Sequence, residues 1–236
     1  MTPEEKLSRL EHLAEAFSEC TLCPLANPCG RARQNVVFGE GNPNASLMII
    51  GEAPGEKEDS KGSPFVGSSG KMFEDFLGSF NSSFDEVFVT NVVCCRPTEN
   101  ANSRKNRPPT KGEISACSER LHKTIEIIDP HVLLLLGGTS LKALTKEKAG
   151  ISSIANDPDT TLTSFVRGQC IEVSRPAIAT YHPSFLLRNQ DMTEGSPMHK
   201  AFTAWEKAFT LSDMYRELYE GVTPPDRGEL NEETVD

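Results

Sequence analysis

The chain of 236 residues is long enough for an α/β domain and needs no disulfide staples to fold. With 37% apolar and 25% charged residues it is neither a disordered chain nor a membrane one, and no stretch approaches the roughly 18 apolar residues of a membrane span. The net charge of −10 gives no general attraction for nucleic acid, but the acids sit at the ends: residues 1–19 carry −3 and 216–236 carry −5, whereas 96–111 holds five bases and one acid. MTPEEKLSRL lacks the apolar run of a signal peptide, so a cytoplasmic, nucleoid-associated protein is expected.

Thr2-Pro3-Glu4-Glu5 reads as a helix N-cap, and Leu7, Leu10, Leu13 and Phe17 continue at helical spacing, which predicts a helix over 3–18. Leu47–Ile50 is a short buried strand that runs into Gly51-Glu52-Ala53-Pro54-Gly55. Met72, Phe73, Phe76 and Leu77 form one face of a helix after Gly70. Val87–Thr90 is a second strand, closed by Asn91. Ile114, Leu121, Ile125 and Ile128 predict a helix, Val132–Leu136 a strand, and Leu141 and Leu144 a further helix. Ile171–Val173 and Ala177–Ala179 read as two strands, the second ending in Tyr181-His182-Pro183-Ser184. A last helix covers about Met198–Leu218, and residues 216–236 read as an acidic, disordered tail behind a single domain, 1–215. Apolar strands alternating with amphipathic helices indicate a mostly parallel sheet covered on both faces, where ligands bind beyond the carboxyl ends of the strands.

Seven cysteines, an odd number, disfavour a full disulfide framework. Cys20 and Cys23 form a C-x-x-C pair, which alone fits a metal knuckle, a redox pair or coincidence, and Cys95 and Cys117 supply two further thiols from a strand end and a helix start. Four such thiolates suit tetrahedral zinc and an iron–sulfur cluster equally. Adjacent strand residues point to opposite faces, so one of Cys94 and Cys95 is the expected ligand. Cys29 and Cys170 have no partner spacing. The glycine loops fail as nucleotide sites: Ser68 stands where a P-loop needs lysine, and no G-x-G-x-x-G follows a strand. There is no G-x-S-x-G elbow and no H-E-x-x-H. His12, His122, His131 and His199 read as surface or core residues.

Taken in order, CTLCPL (20–25), VFGEGNP (37–43), GEAPGEKED (51–59), GSPFVGSSGKM (62–72), TNVVCCRP (90–97), NRPPTKGEISAC (106–117) and YHPSFLLR (181–188) resemble the uracil-DNA glycosylase superfamily, most closely its iron–sulfur family 4. The resemblance covers about residues 20–188. It implies a three-layer α/β/α sandwich around a four-stranded, mostly parallel sheet. It also implies a structural [4Fe-4S] cluster on Cys20, Cys23, Cys95 and Cys117, in segments 20–29 and 94–117. Uracil-containing DNA would be the substrate and a monomer the working form, initiating base-excision repair.

By resemblance the uracil pocket comprises Gly51, Glu52, Ala53, Phe65, Asn91 and His182, with Glu52 and His182 catalytic. Glu58 and Asp59 would crowd the C5 edge against thymine's methyl group. Read alone, Asn91 is a loop cap, Phe65 a core aromatic and His182 a strand-end cap. The Cys95–Cys117 spacing is longer than the family's usual one, with the excess in ENANSRK. A related branch captures uracil-DNA covalently through a histidine that aligns with Asn106 here, so covalent capture is not expected. Arg96, Arg104, Lys105, Arg107, Lys111 and Arg188 are candidate phosphate contacts. The acidic tail is left for a replication or repair partner, with no docking motif to name one. Two alternatives stay open: a uracil-DNA binder without turnover, and a zinc-stabilised, non-catalytic nucleic-acid module.

Overall fold

A computed structural model describes residues 1–26, 34–99, 103, 105–155, 162–167 and 172–219. The order is α1 (Pro3–Ser18), a 3-10 turn at Pro24–Ala26, β1 (Glu40–Gly41), β2 (Leu47–Gly51), α2 (Glu56–Lys61), α3 (Ser68–Ser79), β3 (Phe88–Asn91), α4 (Lys111–Ile128), β4 (Val132–Leu136), α5 (Gly138–Leu144), α6 (Ile151–Ile154), β5 (Leu162–Arg167), β6 (Glu172–Thr180), α7 (Pro183–Leu186) and α8 (Pro197–Tyr219). Helix α1 starts where its sequence places it, with Thr2 and Glu5 forming a capping box. Helix α4 starts in the same way at Thr110 and Glu113.

The sheet order is β1-β3-β2-β4-β6-β5. Its inner four strands, β3, β2, β4 and β6, are parallel, as the sequence pattern indicates. Two short antiparallel strands add an edge on each side, giving six. Alternate strand residues face opposite layers. Met48, Ile50, Leu133 and Leu135 pack with Leu10, Leu13, Leu121, Ile125 and Leu141 of α1, α4 and α5. Leu47, Ile49, Leu134 and Leu136 pack with Phe73 and Phe76 of α3 and Trp205 of α8. Ala201, Ala204 and Ala208 keep α8 close to the sheet while Trp205 fills the gap between it and α3. This is the three-layer α/β/α sandwich.

Two boundaries differ from the sequence reading. The segments around Val173 and Ile178 belong to one strand, β6, rather than two. Arg175 and Pro176 look like a break, but Arg175 is buried, pairing with Asp129 and donating to the Pro130 carbonyl at 3.0 Å. Pairing with β4 begins only at Ala177, so that ladder does not need the missing N–H of Pro176. Helix α8 runs to Tyr219, one residue past the expected end of that helix at Leu218. The remainder of the acidic tail, 220–236, lies outside the described residues, as do Cys29, Cys170 and Arg104.

Candidate active site

All four parallel strands deliver their carboxyl ends to one cleft. Glu52 and Ala53 follow β2, Asn91 closes β3, Gly137 follows β4, and Tyr181 and His182 follow β6. Together they line a cavity of about 390 Å³. The chain leaves β2 toward β3 and leaves β4 toward β6, so the crevice between β2 and β4 is a topological switch point. Thr139 of α5 bridges it by donating Oγ1 to Oε2 of Glu52. The sequence carries no signal for Thr139, because only the juxtaposition of β2 and α5 gives its hydroxyl a partner.

Asn91 is 3% exposed, and among the described residues its side-chain amide makes no hydrogen bond to protein. The amide opens onto the cavity, so a ligand there can pair with both its oxygen and its nitrogen. Gly51 makes the room for it: a Cβ there would collide with Oδ1 of Asn91 and come within 3.0 Å of Cζ of Phe65. Phe65 sits in the left-handed region at φ 51°, a conformation that costs a non-glycine residue about 1–2 kcal/mol. Gly70 permits it, since a Cβ on Gly70 would overlap the Phe65 carbonyl. One ring face of Phe65 stacks on Phe73 at 4.5 Å, and its ring centroid lies 6.0 Å from that of His182. The site therefore stores backbone strain to hold an aromatic ring beside a polar cleft.

His182 is the N-cap of α7. Its Nδ1 accepts from the Ser184 backbone N–H at 3.1 Å and lies 2.9 Å from Oγ of the same residue. A backbone N–H can only donate, so Nδ1 is the unprotonated nitrogen and Nε2 carries the proton. Burial among the cleft walls pushes the imidazole pKa down from 6.5 to about 4. An NMR titration of His182 is expected to find its midpoint near 4 rather than 6.5. The sign follows: below about pH 6.5 the unfolded chain binds a proton that the folded chain refuses until about pH 4, so this residue weakens the fold as pH falls through that window.

Glu58 lines the cavity, but its carboxylate staples two loops, accepting from Gly55 N–H at 3.1 Å and Gly67 N–H at 2.7 Å. Asp59 is not in the cavity. It is buried behind it, accepting from the backbone N–H groups of Gln34 and Asn35. Of the two, Glu58 alone stands at the cavity wall.

Cys20, Cys23, Cys94, Cys95 and Cys117 line a second, small apolar cavity, none of them in a disulfide. Cys94 and Cys95 share it because β3 ends at Asn91, three residues earlier, so strand alternation no longer separates them. Cys94 Sγ lies 4.0 Å from the Phe38 carbonyl. The proximity of Cys94 and the nearby Arg120 charge draw the Cys117 thiol down to about 5, while burial pushes Cys94 up. Among the described residues no trio of His, Cys, Asp or Glu is gathered tightly enough to hold a metal ion.

The basic stretch splits. Arg96 is buried, its Nε donating to Oδ1 of Asn106 at 2.7 Å, with Glu56 3.6 Å from its Nη1. Arg107 forks onto Glu113 at 2.8 and 2.6 Å and holds that carboxyl below the usual range. Both close the base of the insertion, where Thr98 pairs with Asn106; Arg96 is withdrawn from solvent there, while Arg107, a quarter exposed, also lines the cleft. Lys105, Lys111 and Arg188 are exposed.

Residues 38–208 match the family model described as the uracil DNA glycosylase superfamily. The chain belongs to the uracil DNA glycosylase superfamily. Its relatives include a Type-4 uracil-DNA glycosylase of Thermotoga maritima, 37% identical over 182 residues that cover 77% of this chain and 84% of that protein. Type-4 uracil-DNA glycosylases of Sulfurisphaera tokodaii and Saccharolobus solfataricus are each 38% identical, covering 79% and 78% of this chain and 79% of each of those proteins. The superfamily match spans the strands that build the cleft, from Phe38 to Ala208. In this superfamily member the sequence motifs GEAPG, PFVG, TN and HPS thus converge on one cavity.

Proposed function

We propose that the protein is a monofunctional uracil-DNA glycosylase, working as a monomer, that hydrolyses the N-glycosidic bond of uracil in DNA and leaves an abasic site. The observation that carries this reading is the amide of Asn91, without a hydrogen bond to protein among the described residues, facing a cavity beside Phe65 and a neutral His182. A base inside a duplex cannot reach such a cleft, so it must first flip out of the stack. The Asn91 amide can then accept from N3–H of uracil and donate to O4. Cytosine presents the reverse pattern and would strand polar groups at about 1–3 kcal/mol each. Phe65 offers its free face to the base, and the backbone of Gly51–Ala53 walls the pocket. As uracil leaves, negative charge grows on its O2, where Nε2–H of His182 donates. Glu52, with Oε2 held by Thr139, keeps Oε1 to orient the attacking water and to face the cationic sugar.

The test is excision on single- and double-stranded DNA containing uracil, read as alkali-labile cleavage. The wild-type protein is expected to cut, and Asn91→Ala to cut about 100-fold more slowly while keeping its circular dichroism, the loss of two neutral hydrogen bonds. Tight binding of uracil-DNA without cleavage would favour a binder without turnover.

The cysteine pocket fits an iron–sulfur cluster by its donor set, thiols outside any disulfide around an apolar cavity with one of them drawn toward thiolate. Cys20, Cys23, Cys95 and Cys117 would hold a [4Fe-4S] cluster, with Cys94 packed beside Cys117. When bound, it supplies iron–thiolate bonds that tie the segment after α1 and the segment after β3 to α4.

DNA phosphates are met by Lys105, Lys111 and Arg188. Replacing any one of the three with alanine is expected to reduce the slope of log affinity against log salt by about 1. Arg107→Ala is expected instead to lower the melting temperature, because it strips Glu113 of its partner. An unchanged slope in the triple mutant would return these residues to an ordinary solvated face.

A further inference from the structure

We infer that Arg120 is a positioning residue for base reading, holding Asn91 in place from behind. The inference rests on the uracil-pocket reading above. Arg120 lies three residues after Cys117 on α4, so both project from one face of the helix. It is fully buried. Nη2 donates to the Asn91 carbonyl at 2.6 Å and to the Val92 carbonyl at 3.0 Å, and Nη1 donates to Oγ1 of Thr90 at 3.0 Å. The three acceptors are consecutive residues at the carboxyl end of β3.

Among the described residues no carboxylate pairs with this cation. Its surroundings offer sulfur and an aromatic face instead: Sγ of Cys117 lies 3.7 Å from Nη2, and the Phe38 ring centroid 5.8 Å from Cζ. Among the same residues its Nε has no hydrogen-bond partner. Desolvating a guanidinium in this way costs more than an apolar side chain of the same volume. What the guanidinium supplies, and a leucine does not, is a rigid planar fork that fixes several acceptors at set spacings.

The position of Asn91 depends on that fork. Its side-chain amide has no protein partner among the described residues to hold it, so the amide inherits its place from its own backbone. That backbone is fixed on one side by the parallel register with Gly51 and on the other by Arg120. Because the same nitrogen also faces Cys117, one side chain of the cysteine cavity is tied to the backbone of Asn91, and a disturbance at the sulfur end reaches Asn91.

The experiment is a double-mutant cycle of Arg120→Lys and Asn91→Ala, measured by single-turnover uracil excision and by inhibition with free uracil. Lysine keeps the charge but cannot grip three acceptors in one plane. Alone, Arg120→Lys is expected to weaken inhibition by free uracil about tenfold and to lower kcat/KM to match, mostly through KM. In the Asn91→Ala background the same change is expected to cost less than about threefold, since Arg120 then has no base-reading amide to position. A general loss of folded protein would lower the active fraction equally in both backgrounds and leave the inhibition constant unmoved. Equal losses in both backgrounds, or an unchanged inhibition constant, would overturn the proposal while leaving the glycosylase reading intact. If the wild-type protein neither excises uracil nor is inhibited by it, the glycosylase reading falls and takes this inference with it. Should Arg120→Lys fail to fold, Thr90→Val removes one acceptor of the fork with the cation in place. The same cycle of Thr90→Val with Asn91→Ala then separates positioning from a general loss by the same two readouts.

Discussion

Gly51→Ala is expected to lower uracil excision about a thousandfold in a protein that remains folded. The added methyl group would collide with Oδ1 of Asn91 and press on the Phe65 ring, so one carbon displaces both the base-reading amide and the stacking surface. The Asn91 amide can swing aside only by leaving the place where it would meet the base. Asn91 is buried at a strand end held by Arg120, and Phe65 is backed by Phe73 in a strained turn. Overpacking of this kind costs about 1–3 kcal/mol of stability, which an ordinary domain survives. The loss should therefore appear in activity well before it appears in melting. Circular dichroism and a melting curve alongside the excision assay check it. Near-normal excision by Gly51→Ala would mean that the cleft around Asn91 does not read the base.

His182→Ala is expected to cost a further large factor, about 100- to 1000-fold in the single-turnover rate, the usual effect of removing one donor aimed at developing negative charge. The alanine variant also removes the N-cap of α7, worth about 1 kcal/mol, so its effect mixes chemistry with local stability. His182→Asn separates them. Asparagine is a good N-cap and can accept from the Ser184 N–H as the imidazole does, but it carries no Nε2–H at ring distance. The asparagine variant is expected to melt like the wild type and to be as slow as the alanine variant. Because the histidine stays neutral down to about pH 4, the wild-type rate should show no step near pH 6.5 that the variants lack. A rate restored in His182→Asn would assign the residue to capping alone.

The residues of the cleft differ in how far a sequence makes them legible. His182 and Asn91 stand out because they end apolar strands, and the C-terminal edge of a parallel sheet is where ligands bind. Phe65 and Gly51 come through the resemblance of GEAPG and PFVG to a known family, and the structure adds why those glycines are needed: backbone or side-chain atoms fill the space a Cβ would take.

Local and periodic features follow from the amino-acid order alone. The inner strands, the amphipathic helices, the capping boxes of α1 and α4 and the alternation that sends odd and even strand residues to opposite layers all depend on neighbours within a few positions. The edge strands β1 and β5 escape such a reading because two-residue and half-polar segments take their conformation from the strand they pair with. Long-range electrostatics escapes it for the same reason. A basic run from 96 to 111 reads as one surface, and only the fold shows Arg96 buried against Asn106 and Arg107 forked onto Glu113. Nothing in the sequence singles out Arg120, and only the packing of α4 behind β3 makes it a buried fork. Thr139 meets Glu52 across 87 positions of chain. Periodicity fixes which way a side chain leaves its own element, but a hydrogen bond is set by the atom that faces it, and that atom is supplied by the tertiary fold.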